Sequence, residues 1–140
     1  LDNQISEIEK IYKNISIDFN LFSFSESLED YYAETDLAIT RSGASSIAEL
    51  INLRIPFIAI PLPSSADNHQ LKNAQNFEKK GYCYLLEEKY IFSKLFGILE
   101  DLNKNREKLS DIQKNMRKHS DKDAIFKIKK LIEEFFYEKN

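Results

Sequence analysis

Residues 36–56 read DLAITRSGASSIAELINLRIP, and a change of hydrophobic period inside this stretch decides the fold. Asp36 to Thr40 is a short apolar run that ends in a polar residue. After Arg41-Ser42-Gly43 the apolar positions Ile47, Leu50 and Ile51 fall on one face of a helix. A strand therefore passes into a helix through a tight turn. The first amides of such a helix have no intrahelical partner and lie at the positive end of its dipole, where an anion such as phosphate can be held. Gly43 lets the backbone approach a ligand with no Cβ in the way, Ser42, Ser45 and Ser46 offer hydroxyls, and Arg41 offers a charge-assisted contact. Glu49, one to two turns into the helix, can accept hydrogen bonds from the vicinal hydroxyls of a sugar. The same residues have a plainer use, because Ser-Gly turns are common and a serine N-cap followed by a glutamate is an ordinary capping arrangement.

Working outward, residues 4–14 read as an amphipathic helix, and 15–24 (ISIDFNLFSF) alternate, with apolar Ile15, Ile17, Phe19 and Leu21, as a strand would. A helix follows over 25–35, with Leu28, Tyr31 and Tyr32 inward. Beyond Pro56, FIAIP is apolar on both faces, as a central parallel strand should be. The segment PLPSSAD (61–67) is a loop, a helix spans 68–80 with Gly81 as its stop, and 82–86 is a further strand. Helices over 91–103, 105–119 and 121–138 complete the chain, the last with Ile125, Ile128, Leu131, Ile132, Phe135 and Phe136 on a broad apolar face. Strand and helix alternate four times, which predicts an α/β fold: a Rossmann-like parallel sheet flanked by helices, with a helical C-terminal tail. We expect one domain over 1–140, with its α/β core at 15–86 and the C-terminal helices at 91–138. His69, Gln70 and Asn73 then project near the C-terminal ends of the strands, where open α/β sheets bind ligands. Phe24, at a strand's exit, is placed either to stack on a flat ring or to fill the core.

Composition narrows the function classes. A net charge of -3 and a pI near 5.5 do not indicate a polyanion-binding surface, and the lysines of 104–122 alternate with acids as on a solvated helix; no nucleic-acid partner is expected. No apolar run approaches a membrane span and no signal segment opens the chain, so a soluble intracellular domain is expected. Cys83 is the single cysteine and reads as a buried strand thiol; His69 and His119 are far apart, so no metal site is expected. Leu1 runs straight into a helical pattern, so the start looks cut.

Three features occur in order and at set spacing: Phe24, then RSGA (41–44) with Glu49, then DNHQ-x-x-NA (67–74) after a proline loop. This series resembles the C-terminal domain of the family 28 glycosyltransferases of the GT-B fold, from about Phe19 to Leu86 and more weakly beyond. The resemblance implies a UDP-GlcNAc donor site. Phe24 would lie against the uracil, with the backbone of Ser25 reading the base edge and Leu28 closing the other side. Arg41 would border the nucleotide, Ser42, Gly43 and Ala44 would shape the phosphate turn, and Ser45 and Ser46 would meet the diphosphate. Glu49 would bind the ribose, and His69, Gln70 and Asn73 the N-acetylglucosamine.

Within the family the likeness is to inverting enzymes that transfer N-acetylglucosamine to lipid I, making lipid II for peptidoglycan at the cytoplasmic face of the bacterial membrane. No cofactor or metal is implied, because the helix dipole and Arg41 supply positive potential. A glycine-rich GGS-type loop, the acceptor-binding domain, its membrane-facing patch and the candidate general base are all expected before Leu1, so the fragment alone is expected to be inactive. Two other readings share the motif: a UDP-GlcNAc 2-epimerase or another transferase on the same half-fold, and a non-catalytic nucleotide-binding remnant.

Overall fold

The strand β2 (Phe57–Ile60) is buried at all four positions, the pattern of a strand with neighbours on both sides and helices on both faces. Those neighbours are β1 (Ala38–Arg41) and β3 (Cys83–Leu85), giving a three-stranded parallel sheet of order β1-β2-β3. Ala38 pairs with Phe57 and Arg41 with Ile60 on one side, and Phe57 with Cys83 on the other. This computed structural model describes residues 2–15, 18–119 and 122–137, and it divides into two units, Leu1–Glu34 and Thr35–Asn140.

The first unit holds α1 (Asp2–Asn14) and α2 (Leu28–Ala33), and residues 18–27 before α2 are irregular. The strand expected over 15–24 is not formed at 18–24; Ile15 closes the last turn of α1 with an N–H···O bond to Ile11, and residues 16 and 17 lie outside the described set. The physical reason is that alternation fixes which side chains are apolar but a strand also needs a ladder partner. Phe19 and Phe22 instead pair with helix aromatics, Tyr12 at 5.3 Å and Tyr31 at 4.8 Å between ring centroids. Among the described residues the sheet therefore has three strands rather than four.

In the second unit, each strand of the sheet is followed by a helix: α3 (Ala44–Leu53), α4 (His69–Lys79) and α5 (Ile91–Lys104), with α6 (Glu107–Met116) and α7 (Lys122–Tyr137) after them. Side chains alternate along β2, so Ile58 and Ile60 point to one face with Leu86, where Ile91, Leu95, Ile98 and Leu99 of α5 pack on them. Ile47, Leu50 and Ile51, the stripe read from the sequence, are the buried positions of α3. Ile128, Leu131 and Ile132 of α7 remain more than half exposed; the side chains of Ile125 and Phe136 lie outside the described set. Because the three strands run the same way, the turn after β1, the loop after β2 and the turn after β3 all emerge on one edge of the sheet.

Candidate functional site

The carboxyl edge is built first by the β1–α3 turn. Gly43 is the N-cap of α3 in an extended conformation (φ -66, ψ 141), and no side chain caps the helix among the described residues. The serine-cap arrangement that the sequence left open is thus not formed, and the amides of residues 44–46 lack a side-chain acceptor. A Cβ placed on Gly43 would meet only Ser46 Oγ, at 4.0 Å, so space is open beside the turn. Ser42 is fully buried, and its hydroxyl has no hydrogen-bond partner among the described residues. An unpaired buried hydroxyl costs free energy and marks a place where a partner would be welcome. Ala44, Ser45, Ser46 and Glu49 lie along the exposed side of the same helix.

The other two loops close on this turn. Arg41 Nη1 pairs with the Glu88 carboxylate and donates to the Pro61 carbonyl at 3.4 Å. The Leu62 N–H donates to Gln70 Oε1 at 3.0 Å, so the proline loop is pinned to the first turn of α4. His69 Nδ1 lies 2.7 Å from the Ala66 carbonyl, and Asn73 is half-buried one turn further on. Asp67 and Asn68 both have positive φ (49 and 53), a conformation that non-glycine residues rarely adopt, and it turns the chain into α4. Beside these residues a cleft of about 330 Å³ is lined by Pro61, Pro63, Asn68, Leu71 and Glu88.

Arg41, Ser42, Gly43 and Gln70 are therefore linked through Pro61 and Leu62. Glu88 is the residue that sequence reading missed; its signal was its position just past the C-terminal end of β3. Phe24, Ser25 and Leu28 belong to the first unit. There Phe24 is 78% exposed, Ser25 Oγ accepts from the Ser27 N–H at 3.2 Å, and Leu28 opens α2. No helix among the described residues is long and apolar enough to cross a membrane.

The family model for the glycosyltransferase family 28 C-terminal domain matches residues 2–133. A curated relative from Pelagibacter ubique, named UDP-N-acetylglucosamine–N-acetylmuramyl-(pentapeptide) pyrophosphoryl-undecaprenol N-acetylglucosamine transferase, is 41% identical over 114 residues, covering 78% of this chain and 31% of that protein. A protein of the same name from Rickettsia bellii is 39% identical over 136 residues, covering 96% of this chain and 37% of its own length. The chain thus spans about a third of the length of these relatives. A crystal structure of Acinetobacter baumannii MurG superposes with a TM-score of 0.73 at 24% identity, over 84% of this chain and 34% of that one, which establishes likeness of fold.

Proposed function

This chain belongs to glycosyltransferase family 28 through the family's C-terminal domain, and from that premise we propose that it is the UDP-GlcNAc-holding part of an enzyme that makes lipid II. The observation that carries the reading is the β1–α3 turn: an uncapped helix start, open space at Gly43 and the orphaned Ser42 hydroxyl. A diphosphate fits such a place, because it brings acceptor oxygens and negative charge to free amides at the positive end of a helix. Glu49, on the exposed side of α3, takes the ribose hydroxyls, and His69, Gln70 and Asn73 the N-acetylglucosamine.

In the complete enzyme the 4-hydroxyl of lipid I attacks the anomeric carbon, the bond to the β-phosphate oxygen breaks with inversion, and UDP leaves. Negative charge grows on that oxygen as the bond breaks. Amides already aimed at it stabilise the leaving group without reorganising. Lipid I, the general base and attachment to the inner face of the membrane belong, in this reading, to the acceptor-binding half.

Calorimetric titration of the chain with UDP and UDP-GlcNAc tests the proposal. Weak saturable binding that Glu49→Ala reduces, with sugar transfer only when an acceptor-binding half is added, is the expected result. Absence of uridine-nucleotide binding overturns it.

A further inference from the structure

Positive charge also gathers at the far end of α3. Asn52, Arg54, Arg117 and His119 line, with Ile51 and Met116, a cavity of about 130 Å³. At 1.5 Å per residue the ten residues of α3 separate it from the Gly43 turn by ~15 Å, so it is a different place from the carboxyl edge. No carboxylate is among its described lining residues. Of the four arginines in the chain, Arg41 and Arg106 are ion-paired, to Glu88 and Asp36, whereas Arg54 and Arg117 pair with no carboxylate among the described residues.

Nor are these two guanidinium groups needed to finish their helices. The Arg54 N–H bonds the Ile51 carbonyl and the Ile55 N–H that of Leu50; the amides of Arg117, Lys118 and His119 bond the carbonyls of Gln113, Asn115 and Met116. Backbone alone therefore closes both helix ends, and the carbonyl charge that would repel an anion there is largely satisfied. Arg54 moreover holds the left-handed conformation (φ 59, ψ 37) at a C-cap, a place where glycine or asparagine is usual. A bulky side chain kept in a sterically disfavoured conformation points to a use for that side chain. The His119 ring meets Tyr82 edge-on at 5.6 Å, which sets the ring's position at the cavity wall.

We propose that this cavity binds a phosphate-bearing anion between the Arg54 and Arg117 guanidinium groups, with the Asn52 amide as a further donor. A cavity of about 130 Å³ has room for one phosphoryl group. Arginine suits the role, since its planar fork presents paired donors to two oxygens of one phosphate. The phosphate can come free in solution or on a phospholipid headgroup, and the two sources separate experimentally.

Inorganic phosphate titrated into the isotopically labelled chain, at constant ionic strength made up with chloride, is expected to give saturable amide shifts confined to residues 52–55 and 117–119. Arg54→Gly and Arg117→Gln are each expected to weaken this binding about tenfold, while uridine-nucleotide shifts at residues 43–46 stay unchanged. Arg54→Gly also relieves the left-handed backbone, so a melting temperature equal to or above that of the parent shows that the loss is not unfolding. In the second arm, the chain is sedimented with phosphatidylglycerol vesicles and with phosphatidylcholine vesicles. Co-sedimentation with the former alone, lost in both variants, assigns the headgroup; phosphate shifts without co-sedimentation assign a free phosphate compound. Neither shifts nor variant-sensitive co-sedimentation, or shifts that persist undiminished in both variants, overturns the proposal.

Discussion

Arg41, the last residue of β1, is ion-paired with Glu88, which follows β3, so one contact bridges the carboxyl edge of the sheet across β2. Both side chains are about half exposed (50% and 41%), and a pair so placed contributes less than about 1 kcal/mol to stability. Its larger effect is on local charge, because Glu88 offsets the guanidinium next to the proposed diphosphate turn. Glu88→Gln is therefore expected to leave thermal stability nearly unchanged and to tighten UDP a few-fold at low salt, with the gain fading as salt is added. Arg41→Ala should weaken UDP instead. Calorimetry on both variants checks this, and weaker binding in Glu88→Gln would mean that Glu88 orients Arg41 rather than neutralising it.

Gly43 offers a separation of folding from binding. Its φ of -66 is accessible to any residue and an added Cβ meets nothing closer than 4.0 Å, so the protein itself does not require glycine there. The lower entropy of the unfolded state favours Gly43→Ala by about 0.4–1 kcal/mol, and the preference of an N-cap for glycine over alanine opposes it by a similar amount, so stability should change by less than about 1 kcal/mol. The same methyl enters the open space before the first amides of α3 and should weaken diphosphate ligands about tenfold or more. Urea unfolding and UDP titration on one variant test both expectations; unaltered UDP binding would place the ligand elsewhere.

What could be read from the chain alone follows the range of the interactions involved. The passage from Asp36 to Leu53 was legible because both the strand and the helix announce themselves through local period, and α3 occupies the expected residues 44–53. The FIAI strand was legible because burial on both faces leaves no polar alternation. Residues 18–24 misled for the converse reason: their alternation served aromatic pairs with Tyr12 and Tyr31, and ladder pairing is a property of distant chain. The Arg41–Glu88 pair spans 47 positions, so sequence could place each residue at the carboxyl edge but not join them. Likewise the hydroxyls of Ser42, Ser45 and Ser46 look alike in sequence, and only the fold buries the first and exposes the others.

Cys83 makes stability depend on alkaline pH. Its thiol is buried at the start of β3, and burial, with the Glu78 carboxylate adding to it, pushes the pKa up to about 12. In the unfolded chain a thiol titrates near ~8.5. Between those values unfolding releases a proton that the native state keeps. The thiol's contribution is thus complete below the unfolded value and declines as pH rises toward the folded one. Urea unfolding at about pH 8 and about pH 10 should show a loss that Cys83→Ala lacks, the variant controlling for tyrosine and lysine titration over the same range. Native Cys83 should also react slowly with a disulfide reagent, and quickly once urea unfolds the chain. A steep pH dependence retained in Cys83→Ala would remove the thiol as its source.

Gly81 is the position where glycine is required by the fold. It ends the α4 segment with φ at 71, and a Cβ there would lie 2.7 Å from Asn115 Nδ2, the atom that donates to the Gly81 carbonyl at 3.4 Å. Alanine at this site carries about 1–2 kcal/mol for the left-handed backbone, and more if Asn115 cannot swing aside. We expect Gly81→Ala to cost roughly 2–3 kcal/mol in urea unfolding, a large single effect for a surface turn. Asn115→Ala alone removes one long hydrogen bond and should cost under about 1 kcal/mol. The double variant then discriminates backbone from contact. Asn115→Ala should recover the steric share of the Gly81→Ala loss and leave the backbone share, so the two changes are less than additive. Strict additivity would show that Asn115 yields freely and that conformation alone makes glycine necessary here.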